Sequence, residues 1–333
     1  RVLFRSAYIS GTGYFVPERV ITNDYLTQFM DTTHEWIVER TGIHERRYVS
    51  DETGPAGLAK HASEIALKEA GLTVADIDFI IFATSTPDYY APGSGCILQD
   101  EMGFGNIGAL DVRVQCSGFV YGLSIADQYI KTGEFKNILV IGAEVQSTAM
   151  DLSDRGRDTA IIFGDGAGAV IVSATEENKG ILSTHMHSEG KFLKELWLEI
   201  PSSRKNPRID QKMLDDGRQN LQMNGREVFR HAVKRFPEVI IEGLEKNNLT
   251  TADVSLVVPH QANTRITEMV RRKLKLPPES MYMNIHKYGN TTAASIPIAL
   301  AEAMRDDRIA GDDIVVLAAF GSGFTWASAI IKW

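Results

Sequence analysis

The chain has 333 residues, 44% hydrophobic and 23% charged, with a formal net charge of -8. This is the balance of a globular protein with room for one large or two ordinary domains, and its acidity disfavours nucleic acid as a bulk partner. No apolar stretch approaches the roughly 18–20 residues a membrane span requires, and two cysteines without a CxxC spacing argue against a disulfide scaffold or a zinc site and suit a reducing cytoplasm.

Residues 1–6 run straight into a strand-like stretch, without a charged-apolar-small signal segment, and the chain does not begin with Met. Leu58, Ala62, Ile65 and Ala66 fall at helical spacing over 55–70, and Gly71 supplies the stop. The run 77–83 is short and rich in β-formers, so it reads as a strand. Cys96 has no strand leading directly into it and reads as packing. Cys116 differs. A short β-like run precedes it and a long, mostly apolar helix over 117–132 follows, which places its sulfur at a helix N-terminus, where unpaired N–H groups favour a thiolate. A buried, inert cysteine fits the same position. Residues 138–143 form another apolar strand. Gly164-Asp165-Gly166-Ala167-Gly168 reads as a structural turn, because no helix with a downstream acid follows it. His185 and His187 have no third metal ligand near them in sequence. Residues 186–222 are polar, contain Pro201 and Pro207, and read as a surface excursion or lid.

An internal repeat organises the chain. Leu72-Thr73-Val74-Ala75-Asp76 returns as Leu249-Thr250-Thr251-Ala252-Asp253, 177 residues later, and each copy runs into an apolar strand. Ile138-Leu139-Val140-Ile141 is echoed by Ile314-Val315-Val316-Leu317. Helices alternating with short apolar strands predict helices covering a largely parallel sheet in each of two similar halves, 1–178 and 179–333. His260 directly follows the second-half strand 256–258, at the strand end where α/β sheets meet ligands; a lone histidine is also commonly structural. Arg265, Arg271, Arg272, Lys273 and Lys275 form a basic cluster, either a solvated helix face or a docking patch for an acidic partner. Asn290 precedes a further helix, reading from a strand-like segment, at roughly the place Cys116 holds in the first half. An ordinary N-cap is the alternative. Gly321-Ser322-Gly323 after a strand offers exposed N–H donors suited to an oxyanion hole.

From Tyr8 to Trp333 these segments resemble β-ketoacyl-acyl-carrier-protein synthase III. The likeness is carried by the run from Asp31-Thr32-Thr33-His34-Glu35-Trp36 to Gly42-Ile43, by the Cys116 corner, by Phe163-Gly164-Asp165-Gly166, by Pro259-His260-Gln261-Ala262-Asn263, and by Gly289-Asn290-Thr291. The resemblance implies a thiolase-like fold, α/β in class, with two similar halves packed as a layered sandwich of helices and sheets, in a cytoplasmic homodimer. It implies a condensing enzyme that loads an acyl group from acyl-coenzyme A onto Cys116. A decarboxylative Claisen condensation with malonyl-acyl carrier protein then starts fatty-acid synthesis, with no separate cofactor or metal. Cys116, His260 and Asn290 are its implied catalytic residues, and the backbone of Cys116 and Ser322 its oxyanion donors. Trp36, Arg40 and Arg155 would meet coenzyme A; Arg230, Arg265, Arg272 and Lys273 would meet the carrier protein. Ala91 stands where short-primer members often carry a bulky aromatic, on a loop expected to reach the partner subunit's acyl pocket. That implies a preference for longer or branched primers. Ser322 stands where many members have glycine.

Other readings share the residues. A same-fold acyltransferase without decarboxylation, or a condensing enzyme of secondary metabolism, would use the same corner. The order Cys, His, Asn also suits a papain-like hydrolase, but such a protein would carry its cysteine near the N-terminus of a separate helical domain and would show no duplication.

Overall fold

The computed structural model describes residues 6–50 and 52–333, so the strand-like reading at residues 1–5 lies outside the described residues. Strands form where β-branched and aromatic residues run together. In chain order they are β1 (Ser6–Phe15), β2 (Val20–Thr22), β3 (Glu45–Arg47), β4 (Phe79–Ala83), β5 (Gly108–Val112), β6 (Asn137–Glu144) and β7 (Gly166–Thr175). There follow β8 (Gly180–Ser188), β9 (Leu196–Trp197), β10 (Gln222–Met223), β11 (Leu256–Pro259), β12 (Ile314–Gly321) and β13 (Thr325–Lys332).

Two sheets dominate. The first has the order β1-β7-β6-β4-β5, with β4 parallel to β5 and β6 and the rest antiparallel. The second has the order β11-β12-β13-β8, with β11 parallel to β12 and the rest antiparallel. Read from the other end, β8-β13-β12-β11 repeats β1-β7-β6-β4 strand for strand. The chain passes from β7 to β8 over residues 176–179.

Helices Gly118–Thr132 and Ser295–Arg305 lie between the sheets. Their side chains Phe119, Leu123, Ile130, Ile296 and Leu300 share one buried cluster with Val140 and Val170 of the first sheet and Val258 and Leu317 of the second. A helix apolar on most sides belongs in such a middle layer. Helix Pro55–Ala70 covers the outer face of the first sheet, and helices Gly225–Lys246 and Thr264–Leu274 cover the second. The result is five layers, helix and sheet in alternation. Each fully buried aliphatic side chain stabilises them by about 1.5–3 kcal/mol.

The outer helix on the first sheet sits unusually close. A Cβ on Gly13 would lie 2.2 Å from the Ala62 carbonyl oxygen, and one on Gly11 2.3 Å from that of Ala66. Two expectations for this region need correction. Ile65 is 48% exposed, on the outer face of its helix, and Cys96 is exposed in helix Ser94–Met102. The segment 186–222 is not structureless: β9 pairs with β10, and the short helix Gln211–Asp215 lies between them.

Candidate active site

Strand β5 ends at Val112, and the chain turns through a 3-10 turn, Gln115–Ser117, into the central helix. Gln115 takes the left-handed φ of 42°, uncommon for a side-chain-bearing residue and found where a site demands it. The second half repeats the corner. Thr292 has φ 50° and opens the 3-10 turn Thr292–Ala294 before helix Ser295–Arg305, 177 residues after Gln115. The structural counterpart of Cys116 is therefore Ala293, and Asn290 lies three residues earlier. It follows the short helix Ile285–Tyr288, not the strand the sequence suggested.

Cys116, His260, Asn290 and Ser322 line one cavity of about 430 Å³. Cys116 is buried. Burial pushes its thiol up to about 12, and the carboxyl of Glu144 adds to the rise; the N–H groups of Ser322 and of Cys116 itself pull the other way. Loss of water thus works against the helix end that favours a thiolate. The turn after β12 presses on the nucleophile. A Cβ on Gly321 would lie 2.5 Å from the Cys116 Cβ and 2.7 Å from Sγ. Only glycine lets the backbone of this turn approach so closely.

His260 follows β11 without a gap, and its N–H donates to the Ala318 carbonyl at 2.8 Å. Burial lowers its imidazole to about 3, so it is neutral at physiological pH. Its Nδ1 lies 2.7 Å from the Ser295 hydroxyl. That hydroxyl also reaches the Thr292 carbonyl at 3.0 Å, so its single proton serves either tautomer of the ring. Asn290 is pinned by its backbone, which bonds Ile162 and Gly164. Its Oδ1 accepts from the Thr292 N–H at 2.8 Å, which leaves the amide's donor end available.

Three groups here escaped sequence reasoning: Ser295, Gln146 and Glu144. Glu144 closes the apolar strand β6 and is fully buried; a carboxylate at that strand end was its one legible signal. Ser85 (N–H and hydroxyl), Thr86, Gln146 and Ala293 donate to it at 2.7–3.4 Å, yet burial still lifts its carboxyl to about 7.

The residues assigned to coenzyme A separate into two groups. Trp36 carries the guanidinium of Arg40 over its ring at 4.3 Å and that of Arg157 at 5.0 Å. Arg155 is not the partner of Trp36 here. Its Nε donates to Asp151 at 2.6 Å and its guanidinium to the Asp215 carbonyl at 3.1 Å, because the 186–222 segment brings an acceptor to it. Asn263, which lines the cavity, donates to the Arg40 carbonyl at 2.9 Å, setting the Trp36 helix beside the cavity.

Of the basic residues, Arg230 pairs with Glu227, Arg272 with Glu268, and Lys273 donates to the Val233 carbonyl. Arg265 is exposed at the first turn of its helix. Ala91 is exposed beside Tyr89 and Tyr90, which are 64% and 65% exposed, and does not line the Cys116 cavity of its own chain. His185 and His187 do have a third group: Glu242 meets both, at 3.2 and 2.6 Å. Among the described residues no cluster of His, Cys, Asp or Glu is arranged to hold a metal ion.

A buried cysteine at a strand-to-helix corner, facing a histidine and an asparagine from a duplicated half, defines a thiolase-fold condensing enzyme that transfers acyl groups. Residues 110–190 match the model of 3-oxoacyl-[acyl-carrier-protein] synthase III, and residues 244–333 match that of its C-terminal part. The β-ketoacyl-[acyl-carrier-protein] synthase III of Caldanaerobacter subterraneus subsp. tengcongensis is 44% identical over 328 residues, 98% of each chain. That of Clostridioides difficile is 44% identical over 327 residues, again 98% of each. The crystal structure of 3-oxoacyl-[acyl-carrier-protein] synthase III from Aquifex aeolicus superposes with a TM-score of 0.91 at 42% identity, covering 98% of this chain and 100% of that one. The chain belongs to the 3-oxoacyl-[acyl-carrier-protein] synthase III family, a family of condensing enzymes in fatty-acid synthesis.

Proposed function

We propose that Cys116 carries the acyl group and that His260 and Asn290 stabilise the enolate that extends it. The observation that carries this reading is the convergence of all three on one largely apolar cavity, with a neutral imidazole and a free amide donor end. In the first half-reaction the Cys116 sulfur attacks the thioester carbonyl of an acyl-coenzyme A. Neutral His260 takes the thiol proton and returns it to the departing coenzyme A sulfur. The N–H groups of Cys116 and Ser322 hold the oxyanion. The high resting position of the thiol is compatible with this order, since the thiolate forms only as the proton is taken up.

In the second half-reaction malonyl-acyl carrier protein loses carbon dioxide. The electrons of the broken C–C bond form an enolate, whose oxygen accepts from the Asn290 amide and the His260 ring. Ser295 supports the ring in that tautomer by turning its proton to Nδ1. The enolate carbon then attacks the acyl-Cys116 carbonyl, the new C–C bond forms, and the cysteine sulfur leaves as a thiolate that takes a proton from solvent.

The halves 1–178 and 179–333 divide the labour, the first supplying the nucleophile and the second the enolate donors. Trp36 and Arg40 serve coenzyme A, and Arg265, with Arg230, Arg272 and Lys273, serves the carrier protein. The protein works in the cytoplasm as a homodimer in which Ala91 of one protomer helps bound the acyl site of its partner. Among the described residues no helix is long and apolar enough to cross a membrane.

The test is intact-mass analysis after exposure to acyl-coenzyme A thioesters from acetyl to dodecanoyl. One acyl mass on the protein, absent from Cys116→Ala, is expected. Equal labelling of Cys116→Ala refutes the assignment, and an optimum at acetyl that Ala91→Phe does not shift refutes the role of Ala91.

A further inference from the structure

Ser322 faces two ways. Its backbone N–H acts on the Cys116 sulfur, and its hydroxyl donates to the Leu196 carbonyl at 2.5 Å. Leu196 belongs to β9, and Leu196, Trp197 and Leu198 all line the cavity above the nucleophile. The segment from 189 to 223 is thus a roof over the site, tied to the body along its flank, where Arg155 donates to the Asp215 carbonyl and Asn220 to Asp151, and at its two ends. Glu189 and Phe324 exchange backbone hydrogen bonds at 2.8 and 3.1 Å where the segment begins. β9 and β10 pair over two residues each, and the Asn224 N–H donates to the Glu195 carbonyl at 2.8 Å. Leu193 and Leu198 remain 46% and 42% exposed, so burial holds this roof only in part. Of these ties, the Ser322 hydroxyl is the one that joins the roof strand to the oxyanion turn. The turn itself is fixed from below, because Thr325 donates to the Ser322 carbonyl at 3.1 Å and Gly321 rests on Cys116.

We propose that Ser322 is a positioning residue whose hydroxyl clamps the roof strand onto the oxyanion turn, so that closing the cavity and placing the donor toward Cys116 are one event. The inference rests on the acyl-enzyme reading above and adds what keeps that acyl-enzyme from water. A thioester held at Cys116 is hydrolysed whenever water reaches it. With the clamp in place, the Leu196–Trp197 strand excludes that water. Without it the roof opens more often, and the donor loses its side-chain anchor while keeping its N–H.

Ser322→Ala removes the hydroxyl and nothing else. Loss of one hydrogen bond of this kind shifts an opening equilibrium by roughly three- to tenfold. Amide exchange at residues 194–198 is expected to accelerate by that factor, and so is hydrolysis of the isolated acyl-enzyme, followed by loss of the acyl mass. Ser322→Thr retains the hydroxyl and is expected to restore both. A merely structural role would lower the melting temperature without hastening water attack on the thioester. Exchange and hydrolysis at the parent rates in Ser322→Ala refute the clamp, and so does a Ser322→Thr protein that behaves like Ser322→Ala. The two readings fail separately. No acyl mass on the parent protein refutes the acyl-enzyme, whereas a labelled parent with an unaltered Ser322→Ala refutes only the clamp.

Discussion

A methyl group at Gly321 tests the active-site geometry directly. The Gly321→Ala carbon would sit 2.5 Å from the Cys116 Cβ and 2.7 Å from its sulfur. Non-bonded carbons rest at about 3.5–4.0 Å, so turn and nucleophile must separate by about 1 Å. Such overpacking costs about 1–3 kcal/mol of stability. The kinetic loss is expected to be larger, because a displacement of about 1 Å between nucleophile and oxyanion donor costs roughly 100-fold in rate. Acyl loading of Cys116 followed by mass, with thermal unfolding measured on the same samples, separates the two effects. Gly190→Ala is the control, since a Cβ there meets nothing within 4 Å. A folded Gly321→Ala protein that loads acyl groups within threefold of the parent rate refutes the apposition of turn and nucleophile.

Three further outcomes follow from the site. His260→Ala and Asn290→Ala are expected to slow malonyl decarboxylation roughly 10²–10³-fold and acyl loading less, measured as carbon dioxide release against mass gain; an Asn290→Ala protein that decarboxylates normally refutes its role. Arg265→Glu is expected to weaken use of malonyl-acyl carrier protein more than Arg272→Glu does, because Arg272 is already paired with Glu268, and added salt should mimic the change. Equal loss in both half-reactions points instead to damaged folding. Burial of Glu144 raises its carboxyl from 4.5 to about 7, so the fold retains a proton that the unfolded chain has lost. The resulting stability is fully present below about pH 4.5 and lost as pH rises through about 7, at most about 3 kcal/mol from one buried group. Urea unfolding of Glu144→Gln at pH 5 and pH 8 should show less decline than the parent, and equal declines refute the buried proton.

Much of the layered fold was legible because duplication repeats its signals. The Leu-Thr-x-Ala-Asp copies end in matching capped turns, Thr73 with Asp76 and Thr250 with Asp253, and lead into β4 and β11. His260 was legible from its place at a strand end. The register of Asn290 was not, because a 3-10 turn and a left-handed Thr292 separate it from the helix, and neither leaves a hydrophobic period. The sequence left Cys116 open between a thiolate and a buried thiol for a different reason. Helix position is written in sequence, but burial and the nearness of Glu144 are made by strands far apart in the chain. Arg155 was misplaced because its acceptors come from the excursion, whose path no local pattern fixes. The hydroxyl of Ser322 was overlooked beside its backbone, since its partner Leu196 lies 126 residues away.

The shared middle layer has a consequence for how this chain is made. Phe119, Leu123 and Ile130 need Ile296, Leu300 and the second sheet to cover them. Ribosomes extend a chain at roughly 5–20 residues per second. The first central helix is therefore complete about 10–40 seconds before the end of the second sheet is synthesised. During that interval the nascent first half exposes an apolar helix face and the inner side of a sheet. The same interpenetration that joins nucleophile and enolate donors leaves the emerging chain open to aggregation, so its yield should respond to translation speed and to chaperones that shield apolar surface.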